Sequence, residues 1–299
     1  MIKYNPKTWV NLIFHSYSRH VLRVLMPSLL FMLVYTFIIC YLFVDYFEFE
    51  YRSTTAFHSL LGVVLGLVLV FRKNSAYDRW WEGRKHWGAL VNNTRNLAIK
   101  INAFLPEERK DDRAFFEKMI PNFVFALKEH LREGTNPEEL EEVGSSFMNR
   151  LKKATHQPNF IVSELYMRFS GLHRGKVIDG EQFFIMDKEL ATFLDIQGAC
   201  ERIRNTPIPY SYSMFVKKFI FIYTITLPFG FVPVFAYWTI PIVVLLFLTF
   251  LSIELIAEEI EDPFGKDVND LPTDDLAVKI RNNVREIFSM DTENGIMGK

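Results

Sequence analysis

The sequence is poor in cysteine and in catalytic signatures, and neither sign of charge prevails. Two cysteines in 299 residues build no disulfide framework and no multi-cysteine zinc site. Cys40 lies in an apolar run and Cys200 far from it, so each is expected as a buried thiol. With 34 Lys and Arg against 35 Asp and Glu, the chain lacks the basic excess of a nucleic-acid binder, and no nucleic-acid partner is expected. The metalloprotease pattern His-Glu-x-x-His, the hydrolase pattern Gly-x-Ser-x-Gly and the dinucleotide pattern Gly-x-Gly-x-x-Gly are all missing. Gly171 to Lys176 resembles a phosphate loop, but its glycine spacing is one short and Val177 stands where Ser or Thr would bind magnesium. The seven histidines are scattered and are expected as ordinary surface or interface residues. Disorder is excluded by a hydrophobic share of 49% against 23% charged.

Phenylalanine is abundant, 29 residues, and it gathers in uncharged blocks. The first block, Val24 to Val44, has 21 residues and no ionisable side chain other than Tyr and Cys. At ~1.5 Å per residue it matches the ~30 Å of a bilayer core, and it is too long for the apolar region of a removable signal peptide. The second, Ala56 to Phe71, has 16 residues interrupted by His58 and Ser59. A helix that short is expected inside an assembly, where neighbours cover its ends. The third, Phe219 to Ile253, has 35 residues without formal charge. As one helix of ~52 Å it would overshoot the membrane, so a break is expected at Trp238-Thr239-Ile240-Pro241. Four membrane helices follow.

Lys3, Lys7, Arg19 and Arg23 precede the first span, Arg72, Lys73, Arg79, Arg84 and Lys85 follow the second, and the loop Asp45 to Ser53 holds only Arg52. The positive-inside rule then puts both termini and the segment 72–218 in the cytoplasm. That segment repeats apolar residues at helical spacing, as in Phe115, Phe116, Met119, Phe123, Leu127 and Leu131, and again from Phe183 to Ile196. Glu133 to Ser146 reads as a solvated connection and Gln157-Pro158-Asn159 as a turn. The expected organisation is 1–71 with the first two membrane helices (about 24–44 and 56–71), a helical cytoplasmic domain at 72–218, two further membrane helices within 219–257, and a C-terminal cytoplasmic segment at 258–299 with an acidic turn.

Two local patterns stand out. Val63, Leu67 and Phe71 fall at i, i+4 and i+8 on one helical face, with Gly62 and Gly66 on the adjoining face as a small-xxx-small pair. They read either as bundle packing or as the apolar lining of a narrow pore that gates by dewetting. Arg72-Lys73 and Arg79-Trp80-Trp81 then read as an anchor at the cytoplasmic interface. Further on, Glu254, Glu258 and Glu261 share a face, with Glu259 and Asp262 beside it. Like charges at helical spacing repel, so a solvated helix end, basic residues from another element or a cation must compensate them. Asp262-Pro263-Phe264-Gly265 then ends the helix and turns the chain.

Three stretches carry a resemblance: Phe71 to Glu82, Thr206 to Tyr212, and Glu258 to Gly265 followed by Asn269 to Pro272. In these the chain resembles the bestrophins in their bacterial branch, over about residues 10 to 288. The resemblance implies an all-α membrane protein and not an enzyme: a homopentameric ion channel in the inner membrane, with four membrane helices per subunit, a helical cytoplasmic vestibule and one central pore. It assigns the neck to Val63, Leu67 and Phe71, with Leu67 standing where vertebrate members carry bulkier aromatics. It offers Ile178 for a second aperture at the cytoplasmic mouth. It also implies candidate calcium ligands in the carboxylates of Asp267 and Asp270 and the backbone of Glu259 and Asp262, although Lys266, Val268 and Asn269 dilute the acidic run. No cofactor is required. The permeant species are inorganic monovalent ions, chloride as in eukaryotic members or a monovalent cation such as sodium as in the bacterial branch. An ion-coupled transporter or a membrane-anchored metalloenzyme is the alternative; a transporter would place more ionisable groups in mid-span.

Overall fold

The computed structural model describes residues 16–48 and 55–294. Lys3, Lys7, His15, Arg52 and Ser53 lie outside the described residues. Helices account for nearly all of what is described, and among the described residues there is no strand. Two compact units divide the chain. The first takes residues up to Trp80, Pro207–Pro263 and Asp267–Asn269; the second takes Trp81–Thr206, Phe264–Lys266 and the rest from Asp270.

In the first unit, α1 (Ser16–Tyr41) ends in a single π-helical turn, Leu42–Tyr46. Helix α2 (Ala56–Phe104) is 49 residues long, which corrects the expectation of a short helix ending near residue 71. Loss of hydrophobicity marks where a helix leaves an apolar environment, whereas Pro ends it. No Pro occurs within α2, and Pro106 follows two residues after its end. Helix α7 (Tyr210–Phe235) starts just after Pro209 and tolerates Pro228 and Pro233 inside it. The break before α8 (Thr239–Glu261) is a 3-10 turn at Ala236–Trp238, where Ala236 adopts a φ of 46°. Pro241 falls in the first turn of α8, where its missing N–H costs nothing. The core of this unit interleaves Leu25, Leu29 and Met32 of α1, Leu65 and Leu69 of α2, Val216, Ile220, Tyr223 and Leu227 of α7, and Val243 and Phe247 of α8.

The second unit holds α3 (Lys110–Leu131), α4 (Ser145–Lys153), α5 (Gln157–Arg174), α6 (Gly180–Asn205) and α9 (Thr273–Asn294), together with α2 beyond Trp80. The apolar stripes meet as expected: Phe116 stacks on Phe169 at 4.6 Å and Phe123 on Phe193 at 4.7 Å between ring centroids. Phe184, Ile185 and Leu194 are exceptions and are exposed. Gln157-Pro158-Asn159 is the first turn of α5 rather than a free turn, because Pro is pre-shaped for that position and His156 caps it through Asn159 N–H. The connection after α3 is tied down rather than simply solvated: Asn122 exchanges two hydrogen bonds with the backbone of Glu141, and Lys128 pairs with Glu139 at 2.5 Å. Gly171 to Lys176 closes α5, with Val177 N–H donating to Leu172 O. A helix C-terminus carries negative partial charge, so this stretch repels phosphate.

Candidate functional site

Along its apolar half, α2 has two unlike faces. Leu65, Leu69, Arg72 and Ala76 are 0–2% exposed and pack into the first unit, whereas Val63, Leu67 and Phe71 are 63%, 56% and 65% exposed. The predicted row is therefore a continuous apolar strip on the uncovered side of a helix whose opposite side is fixed. The two glycines part company. A Cβ on Gly62 would lie 2.7 Å from the Tyr223 hydroxyl, so Gly62 admits α7, and that hydroxyl donates to His58 O at 3.2 Å. At Gly66 a Cβ would meet nothing within 4 Å. The pair does not serve one close helix approach within this chain.

The acidic face of α8 is compensated by basic residues from other elements. Arg72 is fully buried, with Nη2 2.8 Å from Glu261 Oε2 and Nε 3.4 Å from Glu254 Oε1. This corrects its reading as an interface anchor: a guanidinium directly after an apolar run was needed inside, opposite two carboxylates. Arg79 Nε donates to Glu261 O at 3.1 Å, Ile208 N–H to Glu261 Oε1 at 2.8 Å, and Lys217 pairs with Glu258. Trp80 Nε1 donates to Asn269 O at 3.0 Å, and the Asn269 amide to Glu259 Oε2 at 2.6 Å. The three stretches that carried the resemblance thus meet here: the end of the apolar run, the Pro-Ile-Pro segment and the acidic helix end. Their shared function in the fold is to hold α2 from behind.

The other site residues are placed differently. Ile178 is buried within its own unit, beside a loop where the His173 ring meets Ile178 O at 3.3 Å. Asp267 and Asp262 are exposed, whereas Asp270 is buried. The Asp270 carboxylate stands where a Cβ on Gly265 would come within 2.7 Å, so Gly is required at the turn. Asp262 caps α8, and the Glu259 carboxylate is engaged by Asn269.

The family model described as bacterial/fungal bestrophin protein matches residues 1–286. The chain belongs to the bestrophin family. Among curated relatives, the voltage-dependent anion channel-forming protein alr2987 of Nostoc sp. is 38% identical over 233 residues, covering 77% of this chain and 76% of that protein. The voltage-dependent anion channel-forming protein YneE of Escherichia coli is 29% identical over 302 residues, covering 100% of this chain and 97% of its own. Among solved structures, a bacterial bestrophin homolog from Klebsiella pneumoniae has a TM-score of 0.82 at 26% identity, over 88% of this chain and 98% of that one.

Proposed function

We propose that this bestrophin assembles as a homopentamer in the bacterial inner membrane, both termini cytoplasmic, and conducts monovalent ions passively through one axial pore whose neck is Val63, Leu67 and Phe71. The uncovered apolar strip on α2 carries this reading, because its opposite face is locked by packing and by Arg72. Copies of such a strip around an axis form a narrow apolar ring. Water confined there is unstable, and an ion entering it sheds hydration without gaining ligands, so the ring resists conduction until it widens. Gly66 leaves room beside the strip for a neighbouring copy. The cytoplasmic orientation rests on the basic bias around the first two spans.

The neck residues bear no formal charge, so the sign of the permeant ion is set by groups elsewhere along the pathway. Planar-bilayer recording of the purified protein tests the channel reading: unitary current steps with passive reversal potentials support it, and coupled, step-free flux marks a transporter. Biionic reversal potentials assign the ion, following chloride in an anion channel and sodium in a cation channel. The reading requires no resident cofactor. Calcium at Asp267 and Asp270 is tested by melting in millimolar calcium: a ligand of the native state raises the transition, and Asp267→Ala with Asp270→Ala abolishes the rise. An unchanged wild-type transition removes the calcium site and leaves the channel reading standing.

A further inference from the structure

Three helix ends of the second unit converge on one point. His130 lies in the last turn of α3, His156 is the N-cap of α5, and Glu201 sits near the C-terminal end of α6. His130 Nε2 is 3.1 Å and His156 Nε2 3.0 Å from the same oxygen, Glu201 Oε1. The two imidazoles stand 4.3 Å apart between centroids. The ligating atoms of all three residues lie within 4.8 Å of one another, the one such group of three or more among the described residues. In the sequence these histidines are 26 residues apart and share no metal-binding spacing, so the cluster is a product of the fold.

We infer that His130, His156 and Glu201 form a binding site for a divalent transition-metal ion of the zinc class. Two imidazoles and one carboxylate are a ligand set that zinc accepts, with a solvent molecule completing the tetrahedron. Bonds of ~2.0–2.2 Å from a tetrahedral ion set its ligand atoms roughly 3.5 Å apart, so a small opening of the 3.0 and 3.1 Å separations admits it. The three side chains are 25–31% exposed, reachable by an ion yet held by their helices. Of the three, His130 also lines a cavity of about 270 Å³, together with Glu133, Thr135, Thr155, Gln157 and Arg204. Arg204, the neighbouring cation, is occupied by His130 O and the Glu133 carboxylate. Burial, with His156 and Arg204 nearby, lowers the pKa of His130 below its ordinary value.

Binding rearranges one proton. His156 Nδ1 accepts from Asn159 N–H at 3.3 Å, so the neutral ring carries its proton on Nε2, facing Glu201. A metal at Nε2 requires that proton to move to Nδ1, giving the other neutral tautomer, and so ends the cap bond, which is longer than the contact to Glu201. The ion would clamp the ends of α3, α5 and α6 together, wholly inside the second unit and independently of the neck.

The test uses the full-length oligomer in detergent, stripped with a chelator and titrated with zinc ion. The wild type is expected to bind one zinc per chain by calorimetry and to melt at a temperature that climbs with the logarithm of free zinc. His156→Gln and, separately, Glu201→Gln are expected to weaken binding by at least the roughly 10–100-fold that loss of a mere supporting partner costs, while keeping the wild-type oligomer mass. Should either variant fail to fold, zinc X-ray absorption on the wild type reads the ligands directly, and two imidazoles plus oxygen support the site. A wild-type melting temperature indifferent to zinc overturns the proposal. So does undiminished affinity in folded variants, or an absorption spectrum without imidazole.

Discussion

Removing the Arg72 guanidinium would leave Glu254, itself buried, and Glu261 facing one another without a cation. Breaking a buried pair from one side strands a charge and costs about 3–5 kcal/mol, whereas replacing both partners by apolar groups costs far less. Arg72→Leu is therefore expected to lower the unfolding free energy by about 3–5 kcal/mol, and Arg72→Leu with Glu254→Leu to recover part of that, as a double-mutant cycle would read. Asp274 is the pH-sensitive counterpart in the second unit. Bonds from Arg132 at 2.8 Å and 2.9 Å and from Lys128 at 2.8 Å hold its carboxyl far below the usual carboxylate range. A group whose folded pKa is depressed contributes stability that is complete above its unfolded value, ~3.9, and is lost as pH falls from there toward the folded value. Melting temperature should thus fall more steeply below about pH 4 in wild type than in Asp274→Asn. Equal slopes would mean that the Arg132 and Lys128 contacts contribute nothing in solution.

Among the elements, α2 shows both the reach of sequence reading and its boundary. The spacing of Val63, Leu67 and Phe71 was enough to place them on one face, because helical periodicity is a local property. Which face a helix buries depends on partners far away in sequence, and here Tyr223 and Glu254 decide it. For the same reason the acidic face of α8 announced a need for positive charge, while Arg72 as its source required the fold. The end of α2 was misread because hydrophobicity reports environment and Pro reports termination. Scattered histidines could not be paired from spacing at all, since His130, His156 and Glu201 come from three helices. The two glycines of α2 now predict opposite behaviour. Gly62→Leu should drive into Tyr223 and reduce folded protein from the start. Gly66→Leu, with empty space beside it in this chain, should leave the subunit's helicity intact and reduce assembled mass. Circular dichroism with light scattering separates the two, and intact assembly in Gly66→Leu would take that glycine out of the subunit contact.

At the scale of the whole molecule, an axial pore requires that the α2 strips meet around an axis. Mass measurement in detergent should give five times the mass of one chain, and a stable monomer would remove the basis for an axial pore. The central claim is that Val63, Leu67 and Phe71 line the conduction path, and single-channel recording of the triple variant Val63→Ala, Leu67→Ala, Phe71→Ala, paired with its assembled mass, tests it most directly. Widening an apolar constriction relieves dewetting, whereas truncating core residues costs about 2–5 kcal/mol for each large side chain and depletes folded protein. The predicted result is a fully assembled oligomer with larger or more persistent currents than wild type. Poor assembly, with the surviving channels conducting as wild type does, would contradict the account and place the row in packing.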